Sequence, residues 1–394
     1  MPAMSAQSAA KPLFIDTAAS LNAFCQSIAG CTWLAMDTEF LRDKSYYPQF
    51  CLLQIAADGH VACIDPQALP DLGPLLDILY DPKVTKVLHA ARQDMEIFHQ
   101  RYGRLPAPVF DTQIAAPLLG YADQIGYAGL VQELLGKQLE KGHSRTDWSQ
   151  RPLSADQLKY AADDVIYLAR LYPELCNRLE ALGRLDWLSS DFQALCDPAL
   201  YENPPENAWM RLSGAFKLKG AALSVLQAVA AWRERTAQKE NQPRGWVLKD
   251  DVLFDLARLQ PKGMEQLQTL RAIGDRTLKR HGDELCALVR HAVAQPPQPL
   301  ALKARSAPAT PEREALLDVL GAVVRLLAER HTLNPAVVAG RKDLEALVAG
   351  EQNCKLREGW RHHLVGAELE ALLRGEHDLR VVAGRLRLEP RPPG

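Results

Sequence analysis

Four consecutive residues, Trp33-Leu34-Ala35-Met36, are apolar on both faces of an extended chain. Side chains alternate across a strand, so a run with no polar face has to be covered on both sides. This demands a sheet with packed layers above and below it. The run leads directly into Asp37-Thr38-Glu39. The two acids are two positions apart, so they project to one face at the end of a buried strand. A like-charge pair in such a place raises the energy of the metal-free site, and a bound cation would offset that repulsion.

The surrounding pattern fits an α/β front half. Short apolar runs at 12–15, 32–36, 50–57 and 61–64 predict strands. The last three are close enough for an antiparallel meander, turning at Ala57-Asp58-Gly59-His60. Helices are predicted over 72–80, 93–101 and 112–119, with a strand at 86–89 feeding the second. A long helix begins near Ser154, where Gln157 three residues on completes a capping box. Residues 1–197 are expected to form one α/β domain, ending in a proline-marked connection at 196–208.

The pattern then becomes helical: 221–238, 249–259, 264–270 and 277–292 in a first domain at 206–294. A Pro- and Ala-rich linker follows at 295–311. A second domain at 312–382 holds helices at 312–331, 335–340, 342–349, 356–364 and 367–374. Each set opens on a long helix and turns at Asn241-Gln242-Pro243 or Asn334-Pro335, so the two read as a diverged tandem repeat. The tail after Val381 is expected to be mobile.

Charge divides along the same line. Residues 1–200 hold 16 Lys and Arg against 24 Asp and Glu; the remainder holds 30 against 24. An acidic front fits a metal site and a basic rear fits a polyanion-binding appendage, although drift in surface composition would give the same offset. The eight cysteines contain no C-x-x-C pair, so neither a zinc site nor a disulfide framework is indicated, and a reducing cytoplasm fits. The start has no charged, apolar leader, and no apolar run reaches membrane-spanning length. A cytoplasmic protein with no membrane partner is expected.

Two further segments carry candidate site residues. Tyr160 and Asp164 are four apart on the long helix and share a face, whereas Asp163 is turned away. Asp94 follows the 86–89 strand at the start of a helix, where an acid on the helix dipole is the plain alternative. Asp111 reads as a helix N-cap. His89 and His143 read as structural or peripheral.

Together, Asp37-Thr38-Glu39, the segment around Asp94, and Tyr160-x-x-x-Asp164 resemble the three motifs of the DEDD exonuclease superfamily. Tyrosine in the third motif resembles the DEDDy branch. The strings Met36-Asp37-Thr38-Glu39-Phe40, Asp147-Trp148, Arg151-Pro152-Leu153-Ser154 and Tyr160-Ala161-Ala162-Asp163-Asp164-Val165 are similar to the ribonuclease D family. Arg244-Gly245-Trp246-Val247-Leu248-Lys249-Asp250 and Leu270-Arg271-Ala272-Ile273-Gly274 resemble a helicase-and-RNase-D C-terminal (HRDC) domain, with the second repeat a weaker match.

The resemblance implies a ribonuclease H-like exonuclease domain, with a mixed sheet flanked by helices, followed by two all-α HRDC-like domains. It implies two divalent ions, Mg²⁺ first and Mn²⁺ as a substitute, held by Asp37, Glu39, Asp94 and Asp164. Asp37 would bridge both ions, Glu39 and Asp164 would complete the water-activating site, and Asp94 would serve the ion at the leaving oxygen. Tyr160 would orient the attacking water. The implied activity is 3′→5′ trimming of tRNA precursors with 3′ extensions and of other structured RNAs by a monomer, releasing 5′-monophosphates. Arg145, Trp148, Arg244, Trp246 and Lys249 are candidate RNA contacts, with core packing the alternative for Trp148. A DNA exonuclease of repair type and a catalytically silent RNA-binding module are the alternatives.

Overall fold

The computed structural model describes residues 12–139, 142, 146–270, 272–298 and 310–392. Its front region is built on a six-stranded mixed sheet of β1 (Leu13–Ile15), β2 (Trp33–Leu41), β3 (Gln49–Ala57), β4 (His60–Ile64), β5 (Thr85–Leu88) and β6 (Val109–Asp111). The spatial order is β1-β4-β3-β2-β5-β6. β2, β3 and β4 form the expected antiparallel meander, while β5 runs parallel to β2 and β6 parallel to β5. Asp58 and Gly59 both take positive φ, as a two-residue hairpin turn requires.

Both faces of β2 are covered, as its apolar run demands. On one side lie α1 (Ala18–Ser27), α2 (Gly73–Leu79) and α3 (Arg92–Tyr102), which pack Phe24, Leu75 and Phe98 around Leu34 and Met36. On the other lie α4 (Thr112–Ala115), α5 (Tyr127–Leu135), α6 (Ala155–Ala181) and α7 (Ser189–Leu195). α6 sets Val165 and Leu168 against Ala35, Ala56 and Val87. Burying a side chain the size of Leu34 or Met36 contributes about 1.5–3 kcal/mol. Ser154 caps α6 through the anticipated box, accepting from the Gln157 N–H at 3.1 Å while the Gln157 amide oxygen accepts from the Ser154 N–H at 2.8 Å.

Four elements of the front region had no clear sequence signal. β6 is only three residues long, α1 has a Ser/Ala/Asn-containing pattern, α5 follows a glycine that offers no side-chain cap, and α7 is short and likewise uncapped. The helix expected at 112–119 divides into α4 and a 3₁₀ turn at 116–119, where Pro117 removes a helical N–H donor.

The first helical region has its own core. α8 (Gly220–Glu240) sets Val225, Leu226 and Val229 against Leu253, Leu256 and Leu285 of helices 250–259 and 275–293. The second region repeats the long helix (311–330) and the Asn-Pro turn, but its core is continuous with that of the front region. Trp360 stacks on Trp187 at 4.9 Å, and Arg361 pairs with Asp191 at 3.1 Å. Gly366 is required there, because a Cβ would lie 1.8 Å from the Leu356 carbonyl oxygen.

The tail expected to be mobile is a hairpin of β7 (His377–Val382) and β8 (Arg385–Pro390), so the second region runs past 382 and is not wholly helical. The alternation in Arg385-Leu386-Arg387-Leu388 after Ala383-Gly384 is its sequence signature.

Candidate metal centre and active site

Asp37 and Glu39 leave β2 on the face covered by α6, and Asp164 reaches them from that helix. Ligand oxygens of the three acids lie within 4.8 Å of one another. Tyr160, one helical turn before Asp164, sits close enough for Asp164, Glu39 and Asp37 to raise its phenol, burial being the larger cause.

Asp94 stands in the first turn of α3 and is 6% exposed. Its carboxylate accepts the Thr38 hydroxyl at 2.5 Å. Thr38 alternates with Asp37 and Glu39 on β2 and therefore points to the α3 side. Asp94 is thus held beside the tight trio, outside it. Asp163 is also outside the trio. Asp111 is the helix cap anticipated: it accepts from Gln113 N–H at 2.8 Å, and from Ala90 and Ala91 N–H at 3.0 and 2.8 Å.

The electrostatics of the cluster are those of acids crowded in a poorly hydrated place. Burial, then Asp164, push Asp37 up to about 8. Burial, then Asp37 and Asp164, push Glu39 up to about 10. Burial and Asp163 raise Asp164 to about 7. Burial and Asp37 carry Asp94 well above the usual carboxylate range. A hard divalent cation is the species that an all-oxygen donor set of this kind accepts. Gln54 strengthens the fit. It lies opposite Asp37 in β3 and is fully buried, yet neither end of its amide has a hydrogen-bond partner among the described residues. Water or an ion-bound group would complete it.

Two residues support the site: Tyr127, which the sequence did not single out, and Arg151, which stood in a family-like string without a role. Tyr127 of α5 donates its hydroxyl to the backbone carbonyl of Asp164, which pins α6 at the site. Arg151 pairs with Asp65 at 2.6 and 2.9 Å and donates to the Cys51 and Trp148 carbonyls, fixing the entry to α6. Neither has a local signal: the Arg151–Asp65 pair spans 86 residues.

Of the candidate RNA contacts, Trp148 takes its alternative role in the core. Trp148 is 2% exposed and packs with Cys51, Cys63, Leu153 and Ala161, its ring centroid 6.2 Å from that of Tyr160. Covering the β3–β4 face takes the surface that base stacking would need. Arg244 pairs with Glu234 at 2.5 and 2.8 Å and lies over the Tyr46 ring, with its side chain 40% exposed. Trp246 is 60% exposed and Lys249 is exposed. Arg145 and His143 lie outside the described residues.

Comparison with known proteins agrees with this geometry. Residues 12–180 match the 3′-5′ exonuclease family model, and residues 222–289 match the HRDC domain model. The chain is 40% identical to ribonuclease D of Sphingobium indicum, over 96% of this chain and 98% of that one. It is 38% identical to ribonuclease D of Gluconacetobacter diazotrophicus, over 96% and 97% respectively. The crystal structure of Escherichia coli RNase D, described as an exoribonuclease involved in structured RNA processing, superposes with a TM-score of 0.81 at 32% identity. That match covers 93% of this chain and 99% of the other. The chain belongs to the ribonuclease D family of exoribonucleases.

Proposed function

We propose that the protein removes nucleotides from the 3′ ends of tRNA precursors and other structured RNAs by divalent-metal-dependent hydrolysis, releasing nucleoside 5′-monophosphates. The observation that carries this reading is the convergence of Asp37, Glu39 and Asp164 within 4.8 Å, with Asp94 held alongside by Thr38.

Asp37, Glu39 and Asp164 would hold the cations, with Asp94 contributing from the α3 side. Mg²⁺ fits first and Mn²⁺ second, since both prefer carboxylate and phosphate oxygen. When bound, such a pair supplies charge stabilisation to the attacking and leaving oxygens of an in-line displacement. Tyr160 donates its phenolic proton in a hydrogen bond that orients water at the phosphorus. Because burial and the neighbouring acids raise its phenol, it keeps that proton at neutral pH and does not serve as the base.

The first helical region grips the RNA electrostatically. Residues 211–290 carry 15 basic and 9 acidic residues, and Trp246 and Lys249 are exposed there. The enzyme works as a cytoplasmic monomer. Timed digestion of a tRNA bearing a 3′ trailer, with a matched DNA alongside, tests the reading. Stepwise shortening of the RNA that stops on chelation is expected, with 5′-monophosphates as product. Metal-independent digestion, or preference for the DNA, would contradict it.

A further inference from the structure

A cavity of about 700 Å³ opens where the front region meets the first helical region. Tyr47 lines it from the segment between β2 and β3, Phe50 from the start of β3, His99, Gln100 and Arg101 from the later turns of α3, and Gln238 from α8. None of these residues belongs to the metal centre.

The lining has hydrogen-bonding capacity that the protein leaves unused. Gln238 commits its amide hydrogens to the Asn203 carbonyl (3.0 Å) and the Tyr46 hydroxyl (3.2 Å), which leaves its carbonyl oxygen as an acceptor. Gln100 donates to Glu96 at 2.8 Å. Tyr47 is 37% exposed, and the exposed Arg101 guanidinium lies 5.7 Å from the centre of the Phe50 ring.

These groups match the parts of a nucleotide. Aromatic faces accept a base by stacking, a guanidinium accepts phosphate, and amide oxygens accept from exocyclic amino or ribose hydroxyl groups. The volume lies within the range of small-ligand sites.

Helix α3 connects the cavity to Asp94. Asp94 is in the first turn of α3 and Arg101 is seven residues on, a rise of about 10 Å along the helix. Phe50 pairs with Phe40, the residue after Glu39, on the α3 side of the sheet, opposite the face on which Asp37 and Glu39 leave β2. The wall is also fixed from the helical side. Asn241 Oδ1 accepts the N–H groups of Tyr46 and Tyr47 at 3.1 and 3.0 Å, and the Tyr46 hydroxyl donates to the buried Glu234.

We infer that this cavity is a nucleotide subsite for single-stranded RNA, taking a residue on the 5′ side of the bond to be cut. The inference rests on the exoribonuclease reading above. Its consequence is that the first helical region contributes to substrate length preference by walling a pocket, in addition to any charge it presents.

The test compares KM for oligoadenylates of two and seven nucleotides, with Mg²⁺ and the full-length chain, in the wild type, Tyr47→Ala, Arg101→Gln and Gln238→Leu. The ratio of heptamer KM to dinucleotide KM should rise about five- to tenfold in Tyr47→Ala and Arg101→Gln, and less in Gln238→Leu. Arg101→Gln is a surface change that keeps the fold, so it decides the matter should Tyr47→Ala prove unstable. Ratios within about twofold of wild type in all three, with the wild type digesting both RNAs, would overturn the subsite alone. A wild type that digests neither RNA would overturn the activity reading and the subsite with it.

Discussion

Two groups of buried carboxylates sit at opposite ends of one structural problem. Asp37, Glu39, Asp94 and Asp164 are crowded together, and burial and mutual repulsion raise their pKa values. Glu234, fully buried in α8, is met by Arg244 at 2.5 Å, by Arg211 at 3.4 Å and by the Tyr46 hydroxyl. Burial works against its charge as well, but Arg244 and Tyr46 more than offset this and hold it below the usual glutamate range. The protein has completed one carboxylate with its own donors and left the others to be completed from outside. The first is a joint between regions, since Tyr46 belongs to the front region yet packs in the core of the first helical region. The second is the candidate metal site.

The contrast makes opposite predictions for the same kind of substitution. Asp37→Ala or Asp164→Asn should cost about a thousandfold or more in metal-dependent RNA digestion, several kcal/mol of transition-state stabilisation. The metal-free variant should melt no lower than wild type, because a repelled charge is gone. A large drop in its melting temperature would break the contrast. Glu234→Gln should instead destabilise the fold by about 3 kcal/mol in urea unfolding, the lower end for breaking a buried pair because Arg244 is 40% exposed. Tyr160→Phe sharpens the site side. It leaves every carboxylate in place, so kcat should fall about a hundredfold while Mn²⁺ affinity stays near wild type.

Acid and base should separate the two groups further. The metal-site carboxylates have folded pKa values raised above their unfolded ones. The metal-free protein therefore binds more protons folded than unfolded, and loses stability as pH rises from about 4 towards 8. Glu234 has the reverse sign. Its contribution is present above the unfolded glutamate pKa of about 4.3 and is lost as pH falls through its lower folded value. Chelated protein should thus become less stable between pH 5 and 8, and Glu234→Gln should flatten only the acid limb of the profile. The smallest effect belongs to the surface: Lys249→Ala should weaken RNA binding about two- to threefold and lower the salt slope by roughly one.

How much of this was legible depended on distance along the chain. Asp37 and Glu39 were readable because an apolar strand and its alternation are local, and Asp164 because Tyr160 lies one turn away. Asp94 was less so: the contact that places it, with Thr38, spans 56 residues. The Glu234 joint was not legible at all, since Tyr46 is 188 residues distant and a mid-helix glutamate ordinarily faces water. The partners of Trp148 and Arg244 were hidden for the same reason. An aromatic beside basic residues looks like a nucleic-acid contact until tertiary packing gives each a nearer partner. The final hairpin was missed although its alternation was present, because the flanking prolines drew attention to the tail.

The central claim is that the Asp37–Glu39–Asp164 cluster is incomplete without a divalent cation. Thermal melting at pH 8, in EDTA and in Mg²⁺ or Mn²⁺, for wild type and Asp164→Asn, tests it most directly. The wild type should gain several degrees on metal addition, as ligand linkage requires, and Asp164→Asn should gain little. No gain in the wild type, or an equal gain in both proteins, would contradict the account.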